Sequence, residues 1–174
     1  RLVALRCPCA PLLCLCVCRV DDDIVRRFDC DGLPNVGMLV AANGEWRELT
    51  GLSAAVWGKE KLDDSPEHQP LPNCRAGPDG VTWYLGLGIG IYIPEGTYSD
   101  RSSPIHEREI GESPCDYLAL GHHHAALEVH NGDTFAAYCG SPTDTVGAGA
   151  TYAVIDLAVG SAPVVAIRVL DEGR

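Results

Sequence analysis

The 174-residue sequence predicts a strand-rich α/β (α+β) fold with few short helices. Three observations carry this prediction. Short apolar runs, mostly of strand length, recur along the chain. Turn signals such as Asn43-Gly44, Asn131-Gly132 and Gly140-Ser141-Pro142 separate them. Only two short segments carry helix-start signals.

Residues 12–17 read as a first buried strand. Asp21-Asp22-Asp23 then precede Ile24-Val25-Arg26-Arg27-Phe28, where acids on the N-terminal side suit one or two turns of helix. Leu33-Pro34-Asn35 is a turn. Short strands follow at 37–40, 46–49 and 54–57, separated by Asn43-Gly44 and Thr50-Gly51. From 58 to 80 the chain is polar, aperiodic and holds four prolines, so it reads as a long surface loop. Residues 81–93 form the longest strand candidate. Its Gly86, Gly88 and Gly90 fall on one face, and glycines inside a strand signal a close backbone approach or a bend.

Ser103-Pro104 with Glu107 predicts a helix that has Pro at its first position and ends near Ile110. A buried strand over 117–120 is expected to stop at Gly121. Strands at 127–129, 135–138, 152–157 and Val164–Val169 complete the chain, with Asn131-Gly132-Asp133 as a hairpin turn. Internal repeats are absent. The helices are too few to cover both faces of a sheet. The chain is expected to be a single partial domain over 1–174, with 1–20 as an atypical Cys-rich segment.

Composition narrows the function. Net charge is −11 and no Lys/Arg cluster exceeds two neighbours, so the basic footprint of a free-standing nucleic-acid binder is missing. An apolar fraction of 46% fits a globular chain rather than a disordered acidic tail. Nine cysteines are present, six of them within the first 30 residues: Cys7, Cys9, Cys14, Cys16, Cys18 and Cys30. Their odd total and C-x-C spacing fit neither a disulfide framework nor a structural zinc pattern. A soft-metal thiolate cluster is the alternative to free thiols that pack as small hydrophobes in a reducing, cytoplasmic setting. The uncharged run from Cys7 to Cys18 is about half the length a membrane-spanning helix needs. It lacks a cleavage site and an initiating Met, so it does not read as a signal peptide, and no membrane contact is expected.

The most informative stretch runs from Asp116 to Pro142, DYLALGHHHAALEVHNGDTFAAYCGSP. Three histidines follow Gly121. In an extended backbone His122 and His124 point to one side and His123 to the other. At about 3.3 Å rise per residue, the same-side imidazoles start roughly 6–7 Å apart. That spacing suits two ions about 3.5–4 Å apart better than one. Histidines just past the carboxyl end of a strand also sit where open α/β sheets place ligands. The alternative is an exposed polar turn.

DYLALGHHH followed by AAYCGSP, with the closing strands YAVIDL and VVAIRVL, resembles the C-terminal half of a calcineurin-like metallophosphoesterase. It is most similar to the SbcD-type DNA-repair exonuclease branch. LPNVGMLV, ELTGLSAAVWG and YIPEGTYSDRSSPIHEREI resemble that group's connecting segments, so the likeness runs from about Asp22 onward. The resemblance implies a two-sheet sandwich of mixed strands flanked by helices and a hydrolase with two divalent metals (Mn, Fe or Zn). It also implies a phosphate-ester substrate such as DNA and an ATPase partner subunit. His122 and His124 match the two GHxH metal ligands. Asp116, Gly121, His123, Gly140 and Ser141 are expected to support that loop.

Of the family's five ligand motifs, only GHxH is present. D-x-H and GD-x-x-D would lie upstream of Arg1, which points to a truncated or processed chain. GNH[DE] would fall near Cys16-Val17-Cys18-Arg19-Val20. The lone-His motif would fall at Ile89-Gly90-Ile91-Tyr92, where isoleucine stands at both histidine places and cannot coordinate a metal. The chain is therefore expected to be a truncated or degenerate phosphoesterase with no catalytic residues of its own and weak or absent metal binding. The alternative is a non-catalytic interaction or scaffold module with a vestigial histidine loop. Sequence corruption of the Cys-rich start is a further reading of the composition change near Asp21. Other candidates are weaker. Ser141 lacks the G-x-S-x-G elbow and reads as a turn residue. Gly86-x-Gly88-x-Gly90 has no following Lys-Ser/Thr and is not a phosphate loop. His106 and His130 read as exposed, Asp133 as a turn residue, and Tyr138 as packing under the histidine loop.

Overall fold

Strand formation follows the apolar runs. The computed structural model describes Leu2–Leu5, Leu13–Val17 and residues 36–170 except 50, 62, 64 and 145, the first two segments and Val36 by backbone alone. The expected helix at 24–28 and turn at 33–35 lie outside these residues. Strands are β1 (Leu2–Leu5), β2 (Leu13–Val17), β3 (Val36–Leu39), β4 (Glu45–Leu49), β5 (Ala54–Gly58), β6 (Trp83–Ile93) and β7 (Pro104–His106). After helix α1 (Glu107–Gly111) come β8 (Tyr117–His122), β9 (Ala126–Asn131), β10 (Thr134–Cys139), β11 (Thr151–Asp156) and β12 (Val164–Val169). The class is mixed α+β, rich in strand and poor in helix. Among the described residues no helix is long and apolar enough to cross a membrane.

The main sheet has the order β4-β5-β6-β8-β10-β9, with β7 on the far end of β6. Its four central strands, β5, β6, β8 and β10, are mutually parallel. The antiparallel neighbours β4 and β9 close the two sides. Parallel strands are buried on both faces and read as continuous apolar runs. Accordingly every residue of β5 is buried. Asn131 and Thr134 flank the β9–β10 turn, with Gly132 at φ 61°, as the Asn-Gly signal predicts. β1, β2 and β3 form a second sheet, and β11 pairs with β12 in a hairpin.

Both faces of the main sheet are covered, contrary to the expectation from the helix count. On one face Leu39 of β3, Ile155 of β11 and Val165 of β12 pack against Val56, Leu85 and Tyr117. On the other, Leu71, Ile105 and Ile110 pack against Trp57, Leu118 and Tyr138. The segment between β5 and β6 supplies Leu71, so it is not the surface loop its polarity suggests. It also buries Glu60, Lys61 and His68. Prolines and the absence of periodicity mark irregular backbone; they do not mark exposure.

Glycines make the second face possible. Gly86, Gly88 and Gly90 all present their missing side chain to it. A Cβ on Gly90 would collide with the Ser103 carbonyl and lie 2.9 Å from both Ile105 Cγ1 and Pro70 Cγ. That carbonyl instead accepts a hydrogen bond from the Ile91 amide (3.0 Å), and the Ser103 amide donates to the Ser65 carbonyl (3.0 Å). Ser103 is fully buried and holds a left-handed φ of 49°. The expected helix start at Ser103-Pro104 is therefore displaced. Pro104–His106 pairs with β6, and α1 begins at Glu107, whose entry is capped by the His106 amide donating to the Glu109 carboxylate (2.7 Å).

Gly90→Ala is expected to destabilise the fold by about 3 kcal/mol or more, because backbone cannot yield. Gly88→Ala, whose Cβ would meet Leu71 and Leu120 side chains at 3.1 and 3.2 Å, should cost only about 1 kcal/mol. Urea unfolding checks the order of the two.

Burial raises the phenol pKa values of Tyr84, Tyr117 and Tyr138 above the ordinary value of 10.0. A raised folded-state pKa means stability that is intact below pH 10 and lost as pH rises above it. Tyrosinate absorbance from these three side chains should emerge only together with loss of near-UV circular dichroism.

Candidate functional site

Because β5, β6, β8 and β10 are parallel, their carboxyl ends line one edge of the sheet. Register places Gly90 of β6 opposite His122 of β8, and Leu120 of β8 opposite Tyr138 of β10. The histidine loop, the turn at Gly140-Ser141 and the exit of β6 are thereby brought together. That edge is where open α/β sheets bind ligands.

β8 passes through Gly121 and ends at His122, beyond the expected end at Leu120. The bend is at His122 itself, half-buried with φ 91°. A left-handed φ is uncommon for a residue with a side chain and is retained where the surroundings enforce it. The same-side relation of His122 and His124 assumed an extended backbone. The left-handed residue breaks that assumption, so the 6–7 Å estimate does not apply.

His123 and His124 are exposed. The His123 ring stands edge-on to Tyr138, with centroids 5.5 Å apart at 81°. Tyr138 is fully buried, and its hydroxyl donates to the Gly90 carbonyl (3.0 Å). Burial raises its pKa and keeps it protonated as a donor; the Tyr92 backbone partly offsets that rise. Tyr138 thus sits beneath the histidine loop, as expected, and ties it through β10 to β6.

The turn at Gly140 is built for close approach. Gly140 has φ 76°, and a Cβ there would press on the Thr151 side chain and lie 3.2 Å from the Ala126 amide. Ser141 is buried; its hydroxyl lies 3.2 Å from the Thr143 hydroxyl, and its carbonyl accepts from the Thr151 amide (3.1 Å). These contacts stitch the end of β10 to the start of β11, the role of a turn residue.

Asp116 lies elsewhere. Its carboxylate accepts from the Tyr84 amide (2.7 Å), and its own amide donates to the Tyr84 carbonyl (2.8 Å). It pins the amino end of β8 to β6, about 20 Å along the strand from His122. It supports the sheet and not the loop. His130 lies on β9 against Phe135, and His106 caps α1. Ile89 sits opposite Gly121, beside the histidine loop, and packs into the core together with Leu85 and Leu87.

Among the described residues no three His, Cys, Asp or Glu side chains come together as a metal site. Two imidazoles are fewer donors than a divalent ion requires, and a dinuclear centre would need bridging oxygens as well. The described residues therefore do not fit a complete two-metal centre. No family model, curated protein or solved structure matches the chain. A pair overlooked in the sequence is Cys74 with Cys115, which meet on the glycine-lined face. Nothing in their spacing signals it.

Tyr138→Phe removes the hydroxyl from Gly90 and should cost about 1–2 kcal/mol of stability. It should also broaden the His123 ring resonance in NMR spectra, since the aromatic ring it contacts is no longer tethered to Gly90. An unchanged stability would show that the bond carries no weight.

Proposed function

We propose that the chain is the carboxyl-terminal portion of a metal-dependent phosphoesterase of the calcineurin-like class, in a truncated or degenerate form. His122 and His124 are its remaining metal ligands. One observation carries this reading: the parallel register sets the histidine loop and the Gly140-Ser141-Pro142 turn side by side on the carboxyl edge of the sheet. The motif resemblance calls for that juxtaposition.

On this reading the parent activity is hydrolysis of a phosphate ester, nuclease-like as the SbcD resemblance implies. Mn, Fe or Zn would be held by the two imidazoles together with ligands supplied outside the described residues. When bound, such ions activate a water for attack on phosphorus. The chain's own contribution is to place the imidazoles at the strand edge and to brace the loop through Tyr138.

A second reading, a non-catalytic interaction or scaffold module, is favoured by Ile89 and Ile91. These apolar side chains stand where the family carries its lone-histidine motif, next to the loop.

Two outcomes follow. With manganese and a generic phosphodiester, the 174-residue chain should show no turnover above a His122→Ala/His124→Ala double variant. Calorimetry should show divalent-metal binding no tighter than micromolar, abolished in that variant. Turnover lost in the double variant, or tight binding of two ions per chain, would overturn the degenerate reading. Absence of any binding would favour the scaffold.

A further inference from the structure

Cys74 and Cys115 are 41 positions apart in sequence, yet their Sγ atoms stand 3.5 Å apart. Cys74 belongs to the irregular segment between β5 and β6. Cys115 stands just before Asp116 at the entry to β8, and its Sγ lies over the glycine row, 3.0 Å from where a Cβ on Gly86 would be. The two thiols differ in access. Cys115 is 3% exposed. Cys74 is half-buried and lines an open cleft of about 440 Å³ with Gln69, Asn73, His106 and Glu112. They also differ as acids. The hydrogen bond from Cys115 pulls the Cys74 pKa down, against its burial, while the same bond and burial push Cys115 up. By access, Cys74 is the thiol that a dissolved disulfide meets first.

We propose that Cys74 and Cys115 form an oxidisable dithiol site, with Cys74 the attacking thiol and Cys115 the resolving one, taking a low-molecular-weight disulfide such as oxidised glutathione. This goes beyond the phosphoesterase reading and does not depend on it.

The steps balance. Cys74 as thiolate attacks one sulfur of glutathione disulfide, whose S–S bond breaks. One glutathione leaves and takes up the proton Cys74 has lost. Cys115 then gives up its proton and attacks Cys74 Sγ. The mixed disulfide breaks, and the second glutathione leaves with that proton. Two protein thiols are oxidised and one glutathione disulfide is reduced to two thiols.

Closing the pair requires the sulfurs to approach to about 2.05 Å. Cys74 lies outside any strand or helix, so its backbone can follow. Cys139 is not a competitor, because it ends β10 at the carboxyl edge while Cys115 precedes β8 at the amino edge. The bond would clip the covering segment to the sheet it otherwise holds by packing.

The test uses the full chain. Reduced protein is equilibrated with millimolar oxidised glutathione, remaining thiols are blocked, and the digest is mapped by mass spectrometry. The Cys74 peptide should be joined to the Cys115 peptide, two hydrogens lighter than the pair, and reduction should separate them. Oxidation should raise Tm by about 5–10 °C. In Cys115→Ser the mixed glutathione disulfide should accumulate on Cys74; in Cys74→Ser, Cys115 should stay unmodified. Should either variant fail to fold, the wild-type map decides alone. Cys74 joined to another cysteine, both thiols unmodified, Cys115 modified first, or a Tm that fails to rise would each overturn the proposal.

Discussion

The structure depends on backbone-close packing against β6. A central parallel strand has neighbours on both edges, so whatever covers it must lie directly on its face. Gly86, Gly88 and Gly90 remove three side chains from that face, and the Ser103 carbonyl, Ile105, Pro70 and Leu71 occupy the space. The cover is not a long helix. It is an irregular segment, a three-residue strand and a five-residue helix. Such elements gain little from intrinsic propensity and are held by packing. An added methyl group at Gly90, which meets the Ser103 backbone, would lift them off.

The same row organises the candidate site. Ile91 receives its amide partner from Ser103, Gly90 gives its carbonyl to Tyr138, and Tyr138 carries the His123 ring. The position of the histidine loop is thus set by the strand on which the cover packs. At the opposite edge, Asp116 fixes where β8 starts against β6, and so fixes the register that brings His122 level with Gly90. The dithiol lies at that same amino end, where cover and sheet touch.

Much of the fold was legible because strand signals are local. The β4, β5, β6 and β10–β12 runs and the Asn131-Gly132 turn fall where apolar runs and turn residues predict, within a residue or two. Gly86, Gly88 and Gly90 correctly announced a close approach. The parts that were not legible depend on partners distant in sequence. The polarity of 59–80 concealed Leu71 and Pro70, whose burial exists only because β6 has glycines opposite them. Pro104 looked like a first helical residue, but pairing with Ile91 makes it a strand residue. At the site, the histidine cluster and the Gly140 turn were readable as motifs. The left-handed conformation of His122 was not, since histidine has no local preference that dictates it. Asp116 was misread as support for the loop because six residues of strand separate what the motif writes as one word.

Native-state hydrogen exchange of the Ile91 amide tests the central claim most directly. If the crossover rests on the glycine row, Ile91, bonded to Ser103, should exchange as slowly as the interior amides of β6 and β8, through global unfolding alone. If Ile91 exchanges as fast as the amides of the outer strands β4 and β9, the cover does not lie on the glycine face, and the account of how the histidine loop is positioned fails.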